Sequence, residues 1–66
     1  MAYTLSFNDM IETVEMLAYL RADTARTIQE CAESHPENRY AQELSAHAQK
    51  RLATLERLLD VYYRAL

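Results

Sequence analysis

The chain has 66 residues with no glycine, one proline and one cysteine, and ten acids against seven bases leave a net charge of −3. This length allows one short domain, and folding at this size recovers only about 60% of the surface that an unfolded chain exposes. The acidic balance argues against nucleic acid or anionic lipid as partner, and the single thiol of Cys31 excludes an internal disulfide and points to a reducing, cytoplasmic setting.

Ser6 opens the first element. Its hydroxyl is placed to cap amides two and three residues on, with Leu5 and Met10 at the staple positions and Asp9 at the positive end of the helix dipole. Apolar residues then recur at Phe7, Met10, Ile11, Val14, Leu17, Ala18, Ala25, Ile28 and Ala32, a helical spacing that predicts a helix over about 7–34. The longest apolar run, Met16 to Leu20, is far short of the roughly 20 residues a bilayer span requires, and no basic segment with an apolar core opens the chain, so no membrane is expected.

Pro36 disfavours helix at the preceding residue and suits the first turn of a new one, which predicts a bend at about 34–37. With no glycine anywhere, the chain has no other natural place to reverse. A second stripe, Tyr40, Ala41, Leu44, Ala48, Leu52, Leu55, Leu58, Leu59, Tyr62 and Leu66, predicts a second helix over about 37–65. The expected fold is an all-α antiparallel two-helix hairpin, a single domain over 1–66.

A bend at 34–37 sets residues whose numbers sum to about 72 at one level. This predicts Ile28 against Leu44, Leu17 against Leu55, Val14 against Leu58 and Met10 against Tyr62. Charge agrees with the pairing: residues 1–20 carry Asp9, Glu12 and Glu15 with no base, and residues 50–66 carry four bases against Glu56 and Asp60.

A pair of helices cannot hide all of this apolar surface. Met16, Tyr19 and Leu20 fall away from the first stripe and Val61 and Tyr63 away from the second; with Tyr3 they form the expected partner-binding surface. Burying such side chains contributes about 1.5 to 3 kcal/mol each, comparable in sum to the stability of a small domain. The chain is therefore expected to complete a helical bundle with copies of itself, as a homo-oligomer, or against another protein.

Helical neighbours predict ion pairs of Arg26 with Asp23 and Glu30, Arg39 with Glu43, and Asp60 with Arg57 and Arg64. Arg21, Lys50 and Arg51 have no such carboxylate. Arg21 and Arg51 share a level of the predicted hairpin, with His47 near, so the three bases form a speculative anion-binding site for a carboxylate or a ligand phosphate. Cys31 reads as a small buried apolar residue. His35 and His47 lack further ligands at metal spacing, and Glu12, Glu15, Glu30 and Glu33 read as solvated edges, so neither a metal, a cofactor nor catalysis is expected.

In size and architecture the chain resembles the plasmid copy-control hairpin that dimerises into a four-helix bundle. The segment Arg39, Tyr40, Ala41, Ala46, Ala48, Gln49, Arg51, Leu52 is similar in spacing to the last helix of phage proteins that sequester cyclic nucleotide signals, without their later tryptophan; that resemblance implies an oligomeric sponge for a phosphate-bearing nucleotide. The length, the bend followed by a tyrosine, and the end bearing Leu58, Leu59, Tyr62 and Tyr63 resemble the hairpin co-chaperones of type III secretion needle subunits. The reading taken from the residues is a non-catalytic adaptor or inhibitor.

Overall fold

The computed structural model describes residues 5–34 and 36–66; Tyr3 and His35 lie outside them. Two helices make up the fold, α1 over Phe7–Ser34 and α2 over Arg39–Ala65. Helices of this length measure about 42 Å at 1.5 Å per residue. The chain is 48 Å long and 20 by 16 Å across, so the two lie side by side as an all-α helical hairpin. Neither helix is long and apolar enough to cross a membrane.

Local chemistry sets the ends. Ser6 Oγ accepts the amide of Asp9 at 3.1 Å, and its carbonyl accepts the amide of Met10 at 3.0 Å. The second helix begins at Arg39, two residues later than the expected start at Glu37. Pro36 and Glu37 form a turn instead, and Asn38 is the cap. Asparagine is among the best N-cap residues because its side chain reaches amides that lack helical partners. Here Asn38 Oδ1 accepts the amides of Tyr40 at 2.9 Å and Ala41 at 3.2 Å. Gln42 Nε2 donates to the Pro36 carbonyl at 3.0 Å, tying the turn back to the first turn of α2.

Burial between the helices centres on one seam, with Ile11, Thr13, Ala18 and Thr27 half-buried on its α1 flanks. On α1 it holds Met10, Val14, Leu17, Thr24, Ile28 and Cys31, and on α2 Ala41, Ser45, Ala48, Leu52, Leu55, Leu59 and Tyr62, all buried or half-buried. Steps of three and four alternate on α2 throughout; on α1 the same alternation passes through Arg21, which is exposed. This 3.5-residue period is that of a coiled coil, whose seam is narrower than the stripe of a globular helix.

This seam corrects the apolar stripes. Tyr40 (75%) and Leu44 (41%) are exposed, as are Leu58, Leu66, Phe7, Ala25 and Ala32. Ser45 rather than Leu44 stands at the level of Ile28, and Leu59, only 2% exposed, rather than Leu58 stands at the level of Val14. One residue is about 100° of helix rotation, enough to carry a side chain from the seam to its flank. Thr24, 7% exposed, has no counterpart in the expected stripes. It stands at the level of Ala48, and Cys31 at that of Ala41, so in the half of the seam nearest the bend Ile28 is the one large side chain among small ones. The larger Leu55 and Leu59 fill the other half.

The ion pairs run along single helices: Arg26 with Asp23 and Glu30, Arg39 with Glu43 at 3.5 Å, and Arg64 with Asp60 at 3.2 Å. Arg57 is not paired with Asp60, contrary to expectation. An acid preceding its base by four residues has the favoured orientation on a helix, and Asp60 meets that condition with Arg64. All of these side chains are more than half exposed, so each pair contributes little.

Candidate functional site

The seam divides the hairpin surface into two broad faces. A hollow of about 230 Å³ beside the bend identifies one of them: Ala32 lines it from α1, and Gln42, Ala46 and Gln49 from α2. Each of these residues directly follows a seam position. Residues that directly follow the seam therefore share one face, and residues that directly precede it share the other, as the symmetry of antiparallel helices requires.

The two faces differ in chemistry. The face that follows the seam carries Ala18, Ala22, Ala25, Ala32, Ala46 and Ala53, mixed with Glu15, Gln29, Gln42, Gln49, Glu56 and Asp60. The face that precedes it carries Met16 and Leu20 from α1 and Leu44, Leu58 and Val61 from α2, between 37% and 59% exposed. Tyr40, 75% exposed, stands at the bend end of the same series. Lone apolar side chains on a surface are ordinary; here five large ones share one side of the seam.

Three threonine hydroxyls of this face are bonded within their own helices, and Asp9, Asp23, Glu30, His47 and Arg51 share the face with them. Thr13 Oγ1 donates to the Asp9 carbonyl at 2.8 Å, Thr27 Oγ1 to that of Asp23 at 3.1 Å, and Thr54 Oγ1 to that of Lys50 at 3.2 Å. All three threonines precede the seam. With each hydroxyl satisfied inside its own helix, a partner can exclude water from them without stranding a donor. Arg51, His47 and Asp23 are the charged or titratable groups towards the middle of this face, all exposed.

The residues expected to bind a partner divide between locations. Met16, Leu20 and Val61 lie together on the leucine-bearing face, where Leu44 and Leu58 join them. Tyr63 lies on the opposite face, in the series Gln42, Gln49, Glu56, Tyr63. Tyr19 lines a shallow hollow with Glu15, Ala18 and Ala22, at the edge of the alanine-rich face. The apolar pattern places Leu44 and Leu58 in the core; the signal against it is Arg51, a charged residue midway between them in the same seven-residue register.

The three bases of the speculative anion site are also dispersed. Arg51 lies on the leucine-bearing face, Lys50 one residue back points outward, and Arg21 stands in the seam series beside the level of Leu52. All three are exposed, and none belongs to an ion pair among the described residues. None of them lines either hollow described above. Cys31 is buried at the floor of the hollow by the bend. Among the described residues no three His, Cys, Asp or Glu side chains gather in a group able to hold a metal ion.

Fold and surface together define a helical hairpin with one alanine-rich and one leucine-bearing face. No protein-family model, curated protein or solved structure matches the chain.

Proposed function

We propose that this protein is a non-catalytic binding module, a small helical hairpin that acts as an adaptor or inhibitor and lays its leucine-bearing face on a protein surface, that of another copy of itself or of a second protein. One observation carries the reading: five large apolar side chains stand on the same side of the seam as three threonines whose hydroxyls are already satisfied. Water contact with such a face is unfavourable at about 25 cal/mol per Å² of apolar surface, and removing that contact is what drives association. The opposite face is mainly alanine, glutamine and carboxylate, with Ile11 and Tyr63 its large apolar or aromatic residues.

A photoreactive amino acid at Leu44 tests this, with the same probe at outward-pointing Lys50 as control, each irradiated in cells that make the protein. Protein adducts from position 44 that are missing from position 50 are expected. Equal or absent labelling at the two positions overturns the reading.

A further inference from the structure

We infer that the occupant of the leucine-bearing face is a second copy of this chain, packed with its bend at the opposite end to form an antiparallel four-helix bundle. The inference rests on the interaction face proposed above and names its partner.

Surface area is the first argument. A compact monomer of 7.7 kDa exposes roughly 4,300 Å² by the usual scaling with mass. This hairpin exposes 5470 Å², about a quarter more. Stable interfaces bury roughly 800 Å² from each partner. The surplus is of that size, and a face of 48 by 20 Å can supply it.

Self-complementarity is the second. A twofold assembly places the same patch on both sides, so residue i must suit residue j in both directions. The α2 row of the face, Tyr40, Leu44, His47, Arg51, Thr54, Leu58, Val61 and Ala65, has steps that read identically from either end. A twofold axis crossing it between Arg51 and Thr54 sets Leu44 against Val61 of the second copy and Tyr40 against Ala65. His47 then meets Leu58, and Arg51 meets the internally bonded Thr54. The axis crosses α1 at the level of Leu20, which meets its own counterpart; Thr13 meets Thr27, Met16 lies opposite Asp23, and Asp9 lies opposite Glu30, the carboxylates of Asp23 and Glu30 both being paired with Arg26.

The alternative twofold, with both bends at one end, lays α1 on α2 of the second copy. Leu20 then faces Arg51 and Thr54, Leu44 faces Thr27, Met16 faces Leu58, and Asp23 stands between His47 and Arg51. Fewer apolar groups meet, and a guanidinium is placed over a leucine. The reversed bundle is the arrangement in which the apolar ends of α2 cover each other.

The test uses the whole chain. Sedimentation equilibrium over a wide concentration range is expected to show a dimer, and Leu20→Arg to weaken it by about a hundredfold or more, because the substitution brings two more guanidinium groups to the axis, where Arg51 of each copy already stands. Arrangement is read separately by cysteine pairs in a Cys31→Ala background. Oxidation of the Leu44→Cys, Val61→Cys double variant is expected to give a covalent dimer, as is oxidation of Leu20→Cys alone, since facing positions come within disulfide reach. A disulfide from Leu20→Cys with Thr54→Cys, and none from Leu20→Cys alone, overturns the reversed bundle. A monomer at every concentration overturns self-association, and photoadducts from position 44 to a different protein would then still support the interaction face.

Discussion

Asn38 and Ala41 couple the bend to the core: the Asn38 carboxamide oxygen accepts the Ala41 amide at 3.2 Å, and Ala41 is the first buried residue of the α2 seam. The cap thus decides where α2 begins and which of its residues face α1. Replacing Asn38 with alanine leaves two amides uncapped and is expected to cost about 1 kcal/mol. Thermal unfolding followed by circular dichroism checks this; an unchanged melting temperature would show that the Gln42 bond to Pro36 is enough to hold the turn.

Leu58 and Leu59 are adjacent in sequence and differ in place. Leu59→Ala empties the most buried site of the seam and is expected to cost about 2 to 5 kcal/mol, a large part of the stability of so short a chain. Leu58→Ala is expected to cost much less as long as the leucine-bearing face is uncovered, so denaturant titration at low protein concentration should separate the two. Equal losses would mean that the seam passes between them.

At the level of Thr24 and Ala48 the seam is filled by small side chains. Ala48→Leu, at the level of Thr24, is expected to force the helices apart and to cost about 1 to 3 kcal/mol despite adding apolar surface. Chemical denaturation measures it, and a gain in stability would show that an unfilled gap exists at that level.

The exposed ion pairs are expected to matter little. Arg64→Ala removes the 3.2 Å contact to Asp60, with both side chains more than half exposed, and stability should change by no more than about 0.5 kcal/mol. Melting curves at low and high salt provide the check; a large loss at low salt only would reveal a wider network of charges.

Fold class was legible because it depends on short-range facts. With no glycine and one proline there is a single place to turn, and helical spacing of apolar residues marks the elements on either side of it. The cap at Asn38 was harder to read, since Pro36 is equally suited to open a helix and only the competition between the two places the start at Arg39. Leu44 and Leu58 escaped detection as surface residues because leucine in a helical stripe looks like core. Thr24 and Ser45 escaped as seam residues for the converse reason.

Composition and periodicity alone determined that this chain is two helices joined near Pro36, since backbone reversal and apolar spacing are properties of neighbouring residues. Only the packing of one helix on the other decided that the seam has a 3.5-residue period and which of two adjacent leucines it buries. The same packing separated Tyr19 and Tyr63 from the row formed by Met16, Leu20, Leu44, Leu58 and Val61. A helix presents every side chain at some angle, and no residue lies inside or outside until a neighbour covers one of those angles.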